Sequence, residues 1–423
     1  MATRRAAVTG IGIVAPGGTS RNAFWDTITA GRTATRRLTL FDATGFRSQI
    51  AAECDFNPAL AGLDESEAKR MDRSIQFAVA AANEAMKDSG LALDAVDHDR
   101  MGVTMGSAVG ATINLELGYV AVSDSGKQWL VDAKRAWPFL YEALIPSSLV
   151  SELASRFHAH GPATVVSTGC TSGIDAIGYG FYLVQDGEAD IVIAGAAEAP
   201  VSPIAIGCFE PIKATSTRND DAAHASRPFD LKRDGFVMGE GSAVLILEEM
   251  NHALARGAHI YCEVGGYSSR GNAYHMTGLR PDGVEMAEAI VDAMHQAGIK
   301  PSDIGYINAH GSGTKQNDRH ETAAFKRSLG QQAYHIPISS IKSMIGHSLG
   351  AIGALEMATC AFVIEHGVIP PTANYEIPDP ECDLDYTPNV ARHKKVDAVL
   401  STGSGFGGFQ SAMIFTRPSE ARA

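Results

Sequence analysis

Two hydrophobic periods alternate along this chain. Short apolar runs rich in Val and Ile read as buried strands: residues 6–14 (AAVTGIGIV), 102–105 (GVTM), 189–194 (ADIVIA), 242–248, 260–264 and 304–309. Between them lie patterns with a helical period. One covers residues 22–30, and a longer one runs from about Ser66 to Ser89 with Phe77, Ala81 and Ala85 on one face. A third follows Cys170, with Ile174, Ile177 and Phe181 on one side. Strands alternating with helices predict an α/β protein with largely parallel sheets. The stretches 31–65 and 206–241 are turn-rich and read as loops. Residues 113–150 break the alternation and carry Tyr119, Trp129, Trp137, Phe139 and Tyr141. They read either as an insertion lining a partner surface or substrate tunnel, or as a subdomain with its own small core. The last residues, RPSEARA, are expected to fray.

The pattern also repeats. GCTSGIDAIG at 169–178 has a counterpart in GHSLGAIGAL at 346–355. In each, a glycine precedes a reactive side chain and a second glycine follows three residues after it. Each is preceded by a strand-like segment and followed by an apolar helix. This predicts two similar halves, residues 1–258 carrying Cys170 and residues 259–423 carrying His310 and His347. Two related helices would then present Cys170 and His347 from their N-termini into one shared site.

Length and composition agree with a large duplicated unit. The chain has 423 residues, 45% of them hydrophobic, and 43 glycines, which suit many tight turns. A net charge of −13 with no basic cluster argues against nucleic-acid binding. The N-terminal run MATRRAAVTGIGIVAPGG is too short and glycine-broken for a signal peptide and reads better as a first strand. No stretch reads as a membrane span. Six scattered cysteines (54, 170, 208, 262, 360, 382) fit reduced thiols in a cytoplasm. No CxxC or HExxH pattern points to a metal.

Against this frame a few residues suggest chemistry. Cys170 lies where the strand at 165–166 turns into a helix, a place where unpaired N–H groups and the dipole favour a thiolate. His310 sits where the strand at 304–309 opens into a glycine turn, and the C-terminal ends of strands are where α/β sheets bind ligands. His347 stands at a helix start, where the dipole disfavours its protonated form and leaves a neutral N–H for a developing oxyanion. Lys342 lies between apolar segments, which suits burial with a carboxylate; Asp318 and Glu321 follow His310 in NDRHET. His224, His275 and His320 read as ordinary structural or surface groups.

Together, TGCTSG around Cys170, NAHGSGT around His310, SSIKSMIGHSLGA with Lys342 and His347, and the glycine-rich STGSGFGGFQSA at 401–412 resemble the β-ketoacyl synthase family. The resemblance covers nearly the whole chain. HASRPFD, NAYHMTG, INAHGSGTKQNDRHETAA and DPECDLDY resemble most closely the ketosynthase α subunits of type II aromatic polyketide synthases. The resemblance implies an α/β thiolase fold, duplicated and five-layered (αβαβα). It implies that Cys170 carries the acyl chain, that His310 and His347 serve decarboxylation and condensation, and that Lys342 is the site lysine with Glu321 as its carboxylate partner. The oxyanion hole would be the N–H groups of Cys170 and Phe406. Ser404, beside Gly405, stands where fatty-acid ketosynthases usually carry a gating Phe, which implies a more permissive route to the nucleophile. Implied partners are a chain-length factor, as a heterodimer, and an acyl carrier protein whose phosphopantetheine carries the substrates; the chain itself would bind no cofactor. A fatty-acid ketosynthase is the alternative. A thiolase or initiating ketosynthase fits the histidine pair less well, and a non-catalytic scaffold would leave Cys170 unmodified.

Overall fold

The strands form, and they pair in an order that occurs twice. The structure is a computed structural model that describes residues 4–128 and 132–418; Trp129 and residues 419–423 lie outside the described residues. We number the strands of the main sheet β1 (Ala6–Val14), β2 (Met101–Gly106), β3 (Ala163–Val166), β4 (Ile191–Glu198), β5 (Gly241–Glu249), β6 (Cys262–Gly271), β7 (Tyr306–Asn308), β8 (Ile338–Ser339), β9 (Ala398–Gly405) and β10 (Phe409–Thr416). Their spatial order is β8-β7-β9-β10-β6-β1-β5-β4-β2-β3. Read outward from the centre, each half runs first, fifth, fourth, second, third. The pairing senses match as well. β2 is parallel to β3 and β4 while β5 is antiparallel to β4 and β1. β7 is parallel to β8 and β9 while β10 is antiparallel to β9 and β6. Ala6–Val8 pair with Cys262–Val264 and join the halves.

The sheet is therefore mixed, not largely parallel as the alternation of elements suggested. The last strand of each half turns back on the one before it. In the second half a glycine-rich hairpin, residues 406–408, makes that reversal between β9 and β10.

Six helices repeat in the same way: α1 (Arg73–Ser89), α2 (Ser148–Phe157) and α3 (Ser172–Gln185), then α4 (Val284–Ala297), α5 (Lys315–Leu329) and α6 (Ile352–His366). One outer core packs α1 and α2 on the first half-sheet through Val79, Met86, Leu153, Val103 and Ile193. The other packs α4 and α5 on the second half-sheet through Ile290, Met294, Phe325, Leu400 and Ile414. Between the half-sheets lie α3 and α6, with Ile174, Ile177 and Phe181 meeting Ile352, Leu355 and Phe362. The result is the five-layered αβαβα arrangement of the thiolase fold.

The middle helices touch through glycine. A Cβ on Gly173 would lie 2.5 Å from the Ala354 nitrogen, and one on Gly353 would lie 2.7 Å from the Ile174 nitrogen. Only glycine allows backbones this close. Among the described residues one stretch, Leu349–His366, is long and apolar enough to cross a membrane, and 89% of it is buried in this middle layer. A helix apolar on every side is what a fully covered position requires.

The long helix expected from about Ser66 to Ser89 is instead two, Glu65–Arg70 and α1. Asp64 closes a capping box with Glu67, and Asp72 accepts the Ser74 N–H, so a second N-terminus starts there. In the 113–150 region, Tyr119 and Tyr141 are largely exposed and Trp137 packs on Phe139 at 5.4 Å.

Candidate active site

Cys170 is held in a short 3₁₀ turn, Gly169–Thr171, between β3 and α3. Gly169 takes a left-handed φ of 61°, and a Cβ there would stand 2.9 Å from the Phe406 carbonyl. The turn is clamped from below by Asp175, buried in the first turn of α3. Its carboxylate accepts the hydroxyls of Thr168, Thr171 (2.7 Å), Tyr267 (2.9 Å) and Ser411, which tie the turn to β6 and β10. The Phe406 N–H donates to the Cys170 sulfur. Burial nevertheless pushes the thiol up to about 11, against the opposing pull of the Lys342 charge and of that N–H. The sequence led us to expect a readily lost proton at a helix start. Desolvation outweighs the electrostatic help.

His310 follows β7 at the mouth of a glycine turn, and His347 follows the short helix Lys342–Ile345. Their ring centres lie 5.3 Å apart at 81°, so the two imidazoles face one space. The His347 backbone is pinned to Val237 (2.8 Å) and Gly239 (2.9 Å), and its ring meets the Phe236 edge. Burial, reinforced by the Lys342 charge, holds both imidazoles well below their ordinary range, so both are neutral near pH 7.

Lys342 is 1% exposed, and its carboxylate partner is Glu356 on α6, not Glu321. Lys342 also donates to the His310 carbonyl. Glu321 does different work. It accepts the N–H of His310 at 2.6 Å and of Gly311 at 2.8 Å, and the Thr402 hydroxyl at 2.7 Å. A carboxylate next in sequence to the histidine turn is placed to brace that turn, whereas the lysine reaches across to the neighbouring helix. Burial raises both carboxyls to about 7. Asp318 pairs with Arg233 at 3.1 Å, both fully buried, and takes no part in the lysine site.

Cys170, His310 and His347 line one cavity of about 530 Å³, together with Ser404, Gly405 and Phe406. The structure thus brings together Cys170, both histidines and the Ser404–Phe406 segment on the cavity wall, with Lys342 and Glu321 directly behind His310. The cavity also reaches the exposed Lys213 and Lys315. Tyr119, Trp137, Phe139 and Tyr141 do not line it. Among the described residues no group of three or more His, Cys, Asp and Glu side chains is placed to hold a metal ion.

Of the buried acids that escaped the sequence reading, three brace the site: Asp175, Glu198 and Glu356. Glu198 accepts the Ser107 hydroxyl at 2.8 Å and the Gly350 N–H at 3.1 Å, which docks the start of α6 against the loop after β2. Burial raises it to about 7. A signal was present for all three. Each is a lone acid inside an otherwise apolar run, SGIDAIG, AGAAEAP and GALEMA, and an acid is almost never buried there without partners.

Residues 3–253 match the β-ketoacyl synthase N-terminal domain and residues 261–376 its C-terminal domain. The tetracenomycin polyketide synthase ketoacyl synthase alpha subunit of Streptomyces glaucescens is 62% identical over 422 residues, spanning 100% of this chain and 99% of that protein. The 3-oxoacyl-[acyl-carrier-protein] synthase 2 of Synechocystis is more distant, 42% identical over 98% of each chain. Among solved structures, a type II polyketide synthase acyl carrier protein in complex with its ketosynthase bound to a hexaketide superposes with a TM-score of 0.93. It is 39% identical, and the match covers 99% of this chain and 100% of that one. The ishigamide ketosynthase/chain length factor gives 0.91 at 34% identity, over 99% of this chain and 100% of that one.

Proposed function

The chain belongs to the β-ketoacyl synthase family, an acyltransferase family, and from that premise we propose that it is the ketosynthase α subunit of a type II polyketide synthase. The observation that carries this is the convergence of Cys170, His310 and His347 on one cavity. Its substrates would be thioesters on the phosphopantetheine of an acyl carrier protein.

The chemistry follows from the site. Cys170 attacks an acyl thioester; its C–S bond to the carrier breaks and a new one forms to Cys170. A thiol raised to about 11 is protonated at neutral pH, so its proton passes to a neutral imidazole and on to the departing carrier thiol. Malonyl carrier protein then enters. Neutral His310 and His347 each offer one N–H to its thioester oxygen, which stabilises the enolate as carbon dioxide leaves. The Lys342–Glu356 pair lies behind His310. Burial, helped by the Lys342 charge, keeps the imidazoles neutral, and the lysine fixes the His310 carbonyl. The carbanion attacks the Cys170 thioester, and the oxyanion rests on the Cys170 and Phe406 N–H groups. Collapse expels the Cys170 thiolate, which takes up one proton, and leaves a 3-oxoacyl carrier two carbons longer.

The proposed boundary between the halves is 258/259. Ser404 in the access wall removes a bulky gate, which favours a growing polyketone over a fatty-acid chain. The chain-length factor is the proposed partner. β3 is an outermost strand of the sheet, with Ala163 exposed and Thr164–Val166 half-buried. An apolar open edge of that kind calls for a covering strand. The scattered free thiols support a cytoplasmic location. Product analysis tests the reading. Supplied with malonyl carrier protein and a chain-length factor, the enzyme yields an unreduced poly-β-ketone. Self-sufficient single extension of saturated chains would favour the fatty-acid alternative instead.

A further inference from the structure

The oxyanion at Cys170 needs two N–H groups at one point, and they come from different halves of the molecule. The Cys170 N–H belongs to the turn after β3, and the Phe406 N–H to the hairpin between β9 and β10. The two segments touch, since a Cβ on Gly405 would lie 3.2 Å from the Cys170 nitrogen. Asp175, which the mechanism above does not use, bonds to both sides.

Its two carboxylate oxygens divide between the halves. Oδ2 accepts the hydroxyls of Thr168 and Thr171, on either side of Cys170. Oδ1 accepts those of Tyr267 on β6 and Ser411 on β10. Ser411 faces Gly403 in the β9–β10 pairing that ends at the Phe406 hairpin. A carboxylate offers about four lone-pair positions and no hydrogen, so four donating hydroxyls fill it. The Cys170 turn also keeps bonds of its own. Ser172 Oγ accepts the Thr168 N–H at 3.0 Å and donates to the Gly169 carbonyl at 2.6 Å. What Asp175 adds is the link between turn and strands. The internal repeat supplies a comparison: Ile352 holds the place relative to His347 that Asp175 holds relative to Cys170, and both are buried. An apolar side chain therefore suits that helical position, where a carboxylate is costly unless fully bonded.

We propose that Asp175 is a positioning residue that holds the Cys170 turn and the Phe406 hairpin in register, so that their two N–H groups meet on one oxyanion. This inference rests on the acyl transfer to Cys170 proposed above. The histidines are held by other groups: His310 by Glu321 and Lys342, and His347 by the backbone of Val237 and Gly239. Asp175 thus serves the tetrahedral steps at Cys170 and not the loss of carbon dioxide.

The test sets two rates side by side, with the enzyme and a co-expressed chain-length factor. One is Cys170 acylation by acetyl carrier protein, followed by intact-protein mass. The other is the first turnover of carbon dioxide release from malonyl carrier protein, before any acyl group has reached Cys170. Asp175→Asn keeps the size of the side chain but leaves one accepting oxygen, which cannot take hydrogens from both sides. It is expected to slow acylation about 10- to 100-fold, the scale of a small misplacement of reacting groups, with carbon dioxide release near the parent rate. Ser411→Ala unties β10 alone and should show the same split to a smaller degree; it carries the test if Asp175→Asn does not fold. Acylation at the parent rate in a folded Asp175→Asn variant would overturn the proposal. Equal slowing of both rates would overturn it too, because a group that merely holds the fold would act on both. Absence of any acylation in the parent would instead overturn the acyl-transfer reading itself.

Discussion

At Cys170 two effects oppose each other. Burial penalises the thiolate, while Lys342 and the Phe406 N–H favour it, and burial wins, so the thiol lies near 11. Its reactivity toward iodoacetamide should therefore keep climbing about tenfold per pH unit above pH 9, because the thiolate fraction does. Lys342→Met removes a positive charge that favours the thiolate, so that profile should shift to still higher pH. A plateau near pH 7 would show a thiolate already formed and contradict this account. The same scale shows what sequence can reveal. Cys170, His310, His347 and Lys342 stood out because each is a reactive side chain beside glycine or between apolar runs. Glu321 was paired with Lys342 only through the family resemblance. The true partner, Glu356, sits on a different helix and becomes a neighbour only through packing.

At the level of elements, the site depends on how closely α3 and α6 cross, since each helix starts beside one reactive group. Gly173→Ala would place a methyl 2.5 Å from the Ala354 nitrogen, against backbone that cannot rotate away. Overpacking of this kind commonly costs about 1–3 kcal/mol. The variant should lose that much in denaturant melts and lose condensation activity with it, because Cys170 shifts against His347. Unchanged stability with full activity would show that the crossing can relax. The duplication was legible because both halves need glycine at the same place in a strand–turn–helix unit. The mixed sheet was not legible, since hydrophobic period reports a strand's burial and not the direction of its neighbour. The break at Met71–Asp72 was missed for a related reason: the apolar face continues across it while the backbone is re-capped.

For the whole molecule, the open edge at β3 links fold to assembly. Val165→Lys puts a charge on that edge, a substitution that discourages strand-to-strand or face-to-face association. Size-exclusion chromatography with a co-expressed chain-length factor should then show separated subunits, whereas an intact complex would place the interface elsewhere. The chain's net charge is −13, and the exposed Lys213 and Lys315 give the cavity local positive charge at which a carrier protein would dock. The central claim, that two neutral histidines drive loss of carbon dioxide beside an acyl-carrying cysteine, is tested most directly by one measurement. It is the rate of carbon dioxide release from malonyl carrier protein by the assembled complex, parent against His310→Ala. Removing one of the two donors to the enolate oxygen should slow release by about 100- to 1,000-fold. Release at a near-parent rate would contradict the account.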